Sequence, residues 1–132
     1  MARRLILDTN TLIAYEREAF DVSSLDDDDL AIAAITVAEF RTGIELADTP
    51  ARAADRARVL AAITDAVTVL DYTARTAAEH ARLIAHVRRT GTPRGAHDLI
   101  IAAHAIEHGR AVMSLDSRAK FADLPGVTSL VP

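Results

Sequence analysis

Four carboxylates in this chain stand where an α/β fold does its chemistry. Asp8 closes an apolar run in Leu7-Asp-Thr-Asn10, and Glu39 follows a second such run in Thr36-Val-Ala-Glu39. Asp98 comes just after a Gly/Pro turn in Ala96-His-Asp-Leu99, and Asp116 closes another run in Ser114-Leu-Asp-Ser117. Their separations are 31, 59 and 18 residues, so only a fold can gather them. Four carboxylates at one place repel, and some are forced to take up a proton. A hard divalent cation supplies the opposing charge, and Mg²⁺ or Mn²⁺ takes oxygen ligands while retaining waters. Carboxylate-held Mg²⁺ is the usual apparatus for hydrolysing a phosphodiester. Each acid also has a plainer reading. Asp8, Asp98 and Asp116 fit helix N-caps, and Thr36 with Glu39 fits a capping box. Those readings weaken together, because all four positions are expected on one edge of one sheet.

The elements that must position them alternate between strand and helix signals. Arg4–Leu7, Leu30–Ile35, Val67–Leu70, Ala111–Leu115 and Val127–Val131 read as short buried strands. Helical patterns cover about Thr11–Ala19, Thr36–Leu46, Pro50–Asp65, Thr73–Arg89 and His97–His108, with a short turn of helix over Ser117–Phe121. In the fourth helix Ala77, His80, Ala81, Ile84 and Val87 are spaced for one apolar face. Gly91-Thr-Pro-Arg-Gly95 must end it, and Gly109 must end the next. Asp26–Asp29, four like charges in a row, reads as a solvated loop. Strands alternating with helices imply right-handed crossovers and a mostly parallel sheet covered on both faces, a three-layer α/β/α fold. In such sheets the functional edge lies at the strand carboxyl ends.

Composition narrows the class. With 132 residues, half of them hydrophobic, residues 1–132 are expected to form one domain with a real core. A net charge of -4 argues against a basic protein that coats nucleic acid along its whole surface. The absence of cysteine excludes disulfides, Cys-ligated zinc and a thiol nucleophile. The apolar run at Leu5–Leu7 is too short for a signal peptide or a membrane span, so the expected location is the cytoplasm. A local cationic strip does exist. Between Glu79 and Asp98 there is no acid, while Arg82, Arg88, Arg89 and Arg94 are present, and the last three flank the turn before Asp98. The guanidinium fork suits phosphate, so Arg88, Arg89 and Arg94 are candidate RNA contacts beside the acids. Aromatic residues make up only 4%, too few for a base-stacking platform.

The ordered set Leu7-Asp-Thr-Asn10, Thr36-Val-Ala-Glu-Phe40, Gly95-Ala-His-Asp-Leu-Ile-Ile-Ala-Ala-His-Ala105 and Ser114-Leu-Asp-Ser117, followed by Phe121–Val127, resembles the PIN-domain proteins. Within them it resembles the VapC toxins of bacterial toxin–antitoxin pairs, and the likeness spans nearly the whole chain. The resemblance implies a Mg²⁺- or Mn²⁺-dependent endoribonuclease, a homodimer, and a cognate VapB-type antitoxin that neutralises it. It places the acidic set on Asp8, Glu39, Asp98 and Asp116, with Asp8, Asp98 and Asp116 as metal ligands. Thr9, Asn10 and Ser114 fall where small polar residues support the metal, Ser114 standing in place of the more frequent Thr. His97 is a familiar neighbour with no catalytic role assigned.

Three other readings compete. His104-Ala-Ile-Glu-His108 matches a His-x-x-Glu-His zinc-peptidase pattern. No Glu follows His108 to complete it, and the face lies 240–280° around the helix from Asp98. The two histidines are therefore expected to be solvated or capping. A receiver-like phosphoacceptor domain would use Asp71 with Ser114 and Lys120, but it wants paired acids after the first strand and leaves Glu39 and Asp98 idle. A PIN nuclease in RNA processing, outside any toxin–antitoxin pair, shares all the chemistry above.

Overall fold

The strands form where short β-branched and leucine-rich runs have both faces to bury. In the computed structural model, which describes residues 2–132, they are β1 (Arg4–Leu7), β2 (Asp29–Ala33), β3 (Thr68–Leu70), β4 (Ala111–Met113) and β5 (Ser129–Leu130). They pair in the order β3-β2-β1-β4-β5, and every pairing is parallel. The helices are α1 (Thr9–Glu16), α2 (Ala34–Glu45), α3 (Pro50–Ala66), α4 (Ala74–Thr90) and α5 (Ala96–His108). Short 3-10 turns cover Val22–Leu25 and Phe121–Asp123.

Side-chain alternation along β1 divides the core in two. Ile6 points to one face and packs with Leu83 and Val87 of α4 and Leu99, Ile101 and Ala102 of α5. Leu5 and Leu7 point to the other and join Leu12 of α1, Leu25, Ile63 of α3 and Met113. The three-layer α/β/α architecture expected from the sequence is present. No helix among the described residues is long and apolar enough to cross a membrane.

Local differences have physical causes. The buried stripe of α4 runs through Thr76, Leu83 and Val87, while Ala81 is exposed and His80 and Ile84 are half-buried. Small alanines fit several faces, so the large Leu83 sets the orientation. Asp26–Asp29 is more than a solvated loop. Asp28 receives the backbone amide of Arg3 at 3.1 Å and its guanidinium at 2.7 Å. Asp29 opens β2 and accepts from Arg110 Nη1 at 3.1 Å. These pairs tie the amino ends of β1 and β4 to that of β2, and Arg3 holds the Asp28 carboxyl below the usual carboxylate range. Gly91 and Gly109 close α4 and α5 in the left-handed conformation, at φ 64° and 61°.

Candidate active site

The strand order turns at β1. From it the chain moves outward through β2 and β3, then returns to lay β4 and β5 on the other side. An open parallel sheet leaves a crevice at such a switch point, outside the carboxyl ends of the strands. Asp8 leaves β1 and Ser114 and Asp116 leave β4, so the crevice is flanked by acids from the first and last parts of the chain.

Asp8 is 4% exposed and is held from two sides. Its Oδ1 accepts the Thr11 amide at 2.9 Å, which makes it the N-cap of α1. Its Oδ2 accepts the Ser114 hydroxyl at 2.6 Å, and that hydroxyl oxygen in turn accepts the Asp116 amide at 3.0 Å. One serine therefore fixes Asp8 and the Asp116 backbone together. Asp116 also turns its carboxylate onto the Arg118 amide at 2.9 Å. Thr11, missed in the sequence reading, is fully buried and accepts the Leu115 amide at 3.0 Å, which locks the start of α1 to the end of β4. Its place three residues after Asp8, the usual reach of a cap, was the available signal.

Glu39 faces the same crevice from α2. No capping box forms with Thr36, because α2 begins two residues earlier, with Ala33 at its cap and no side-chain cap bond. Thr36 is instead buried in the third position of the helix, 3.3 Å from the Thr9 hydroxyl. Thr9 donates to Glu39 Oε1 at 2.8 Å, and His97 Nδ1 lies 3.3 Å from the same oxygen. His97, unassigned in the sequence reading, thus stands beside the Glu39 carboxylate. Asn10 is exposed in the first turn of α1.

Asp98 sits in the first turn of α5, where the positive end of the helix dipole favours an anion. It is not the cap, a place held by Gly95. A Cβ on Gly95 would stand 3.2 Å from Asp98 Oδ2, so the glycine makes room for the carboxylate. The Asp98 carboxyl is pushed above its ordinary pKa, first by burial and then by the charges of Asp8, Asp116 and Glu39, with His97 pulling the other way. The charges of the other three acids therefore reach Asp98. The four acids are spaced more openly than His104, Glu107 and His108, whose donor atoms all lie within 4.8 Å. His104 departs from the solvated or capping role expected of it, since it is completely buried.

The arginines divide. Arg88 and Arg89 are exposed in the last turn of α4, whereas Arg94 is only 11% exposed in side chain and bends back onto Thr92 O at 3.2 Å and Asp123 at 3.9 Å. Asp71 follows β3 at the sheet edge, across β2 and β1 from Ser114, so no phosphoacceptor constellation is built.

An acidic crevice at the switch point of a five-stranded parallel sheet defines an α/β fold with a carboxylate-lined site at its strand carboxyl ends. The family model described as "PIN domain" matches residues 5–127. The "tRNA(fMet)-specific endonuclease VapC" of Salmonella typhimurium is 31% identical over 131 residues, covering 94% of each chain. That of Shigella flexneri is 30% identical over 122 residues, covering 87% of this chain and 88% of the relative. Among solved structures, "DNA bound VapBC from Salmonella typhimurium" superposes with TM-score 0.84 at 27% identity, over 99% of this chain and 98% of that one. This chain belongs to the PIN domain family, among its VapC-type endonucleases.

Proposed function

We propose that the chain is the toxin of a VapBC-type pair, an endoribonuclease acting in the cytoplasm with Mg²⁺ or Mn²⁺ held by Asp8, Asp98 and Asp116. The Ser114 hydroxyl that ties Asp8 to the Asp116 backbone carries the reading, with Asp98 set among the same acids, its carboxyl pushed up by burial and then by the charges of Asp8, Asp116 and Glu39. Four carboxylates that cost one another free energy form an all-oxygen donor set suited to a hard cation, and their open spacing leaves room for the waters Mg²⁺ retains. When bound, the ion supplies a Lewis acid and neutralises charge in an in-line displacement at phosphorus.

The residues of the chain do the rest. Ser114 keeps Asp8 turned into the crevice by the 2.6 Å bond. Thr9 occupies Glu39 Oε1, which leaves Oε2 to orient a water and accept its proton as the water's oxygen attacks phosphorus. The 3′-oxygen leaves with a proton from solvent, giving 5′-phosphate and 3′-hydroxyl ends. Exposed Arg88 and Arg89 draw the RNA backbone toward the acids. A VapB-type antitoxin and a second copy of the chain are the proposed protein partners, supported by the VapBC complex to which this chain is similar.

Asp98→Asn tests the site. RNA cleavage with Mg²⁺ falls by at least about 100-fold, while the melting temperature without divalent ions stays level or rises, because one repelling charge is gone. Full cleavage by the variant overturns the assignment.

A further inference from the structure

On the same helix as Asp98, six to ten residues on and about 9–15 Å along the axis, α5 presents His104, Glu107 and His108. Positions i, i+3 and i+4 share a helix face. His108 Nε2 lies 3.3 Å from Glu107 Oε1, and His104 Nδ1 lies 3.9 Å from the same oxygen. Ligands bound at about 2.0–2.1 Å on a tetrahedral ion are separated by about 3.3–3.5 Å. The Glu107–His108 pair already has that spacing, the His104–Glu107 pair lies slightly beyond it, and all three donor atoms are within 4.8 Å of one another.

His104 is the second, independent observation. Its side chain is 0% exposed, yet neither Nδ1 nor Nε2 has a hydrogen-bond partner among the described residues. A neutral imidazole has one N–H and one lone pair to satisfy, and native interiors rarely leave such groups orphaned. Tyr72 stands edge-on to the ring with centroids 6.3 Å apart, but its hydroxyl bonds His80 Nδ1 at 2.8 Å instead. The His108 ring lies nearly parallel to that of His104, at 18° and 6.3 Å.

Around this trio the structure supplies a supporting shell and an entrance. Thr76 of α4 donates to Glu107 Oε1 at 2.6 Å, and Thr73 reaches Oε2 at 3.4 Å. Hydroxyls that hold a carboxylate from behind are the outer partners that ligands commonly need. Glu107 is 10% exposed in side chain and His108 33%, so a hydrated ion can enter from the His108 side and keep a water as its fourth ligand.

We propose that His104, Glu107 and His108 form a second cation site, selective for a borderline metal of the zinc class, separate from the acidic crevice. Two imidazole nitrogens and one carboxylate favour Zn²⁺ over Mg²⁺, which prefers oxygen alone. Glu107 acts here as a ligand, unlike the peptidase pattern in which that residue is the base. Because Glu107 is bonded to Thr76 and Thr73, the ion braces α5 against α4.

The test is a Zn²⁺ titration followed by calorimetry, with Co²⁺ absorption reporting imidazole ligation. It uses an Asp8→Asn/Asp98→Asn chain, which removes competition from the acids. One equivalent of Zn²⁺ is expected to bind and raise the melting temperature. His108→Ala in that background, at a partly exposed position that tolerates truncation, is expected to weaken binding at least about 100-fold. If the double variant is unstable, wild type and His108→Ala are compared under excess Mg²⁺, where His108→Ala also retains wild-type RNA cleavage. Absence of Zn²⁺ binding, or binding that His108→Ala leaves unchanged, overturns the proposal.

Discussion

At the scale of single residues, the crevice is organised by hydroxyls as much as by acids. Ser114 accepts from the Asp116 amide and donates to Asp8, so one oxygen sets both the β1 and β4 sides of the site. Thr9 does the corresponding work for Glu39. Removing such an outer partner typically weakens a metal site by about 10–100-fold. Ser114→Ala should therefore raise the Mg²⁺ concentration for half-maximal RNA cleavage by about that factor, while Ser114→Thr, which keeps the hydroxyl, should stay near wild type. A Mg²⁺ titration of the cleavage rate for the three chains checks this. An unchanged midpoint in Ser114→Ala would show that Asp8 holds its orientation through the Thr11 amide alone. The identity of these residues was legible through the family resemblance, which implies small polar residues at Thr9, Asn10 and Ser114. Which oxygen each one holds was not, since Ser114 and Asp8 are neighbours only through the pairing of β1 with β4.

At the scale of elements, the acids are aimed by helix starts. Asp8 caps α1, and Asp98 occupies the first turn of α5 above a glycine that leaves it space. Gly95 has an ordinary negative φ of -59°, so alanine there meets no backbone strain, only the 3.2 Å approach to Asp98 Oδ2. The carboxylate must yield by a few tenths of an ångström. Gly95→Ala is expected to lower the cleavage rate about 10-fold while moving the melting temperature little, since small misplacements at a reacting centre are costly and the fold barely changes. Parallel activity and melting measurements decide it. Equal loss of both would mean that the turn, and not the carboxylate, was disturbed. Element identities followed from apolar periodicity and the Gly/Pro punctuation. The cap assignments at Thr36 and Asp98 failed because a helix boundary is fixed by which backbone groups find partners, and α2 starts at Ala34 to bury Thr36 beside Thr9. His104 escaped for a related reason. Its burial depends on α4 lying over α5, and the alanine-rich stripe of α4 did not determine which way that helix was turned.

At the scale of the whole molecule, the acidic centre is a statement about folding. Asp8 and Asp116 stand at opposite ends of the chain, and the sheet order alone makes them neighbours at the switch point. In the unfolded chain they are far apart and bind a hard cation weakly. An ion that needs all of them must therefore stabilise the native state, by RT ln(1 + [L]/Kd), about 1.4 kcal/mol at ten times Kd. Mg²⁺ should raise the melting temperature of the wild-type chain in a saturable way. The Asp8→Asn/Asp98→Asn chain should begin near or above the wild-type value in chelator, because repulsion is relieved, and then show no such rise. Thermal melts across a Mg²⁺ series measure both terms at once. If the double variant gains as much from Mg²⁺ as wild type does, the stabilising ion sits elsewhere and the four acids are held close by the fold alone.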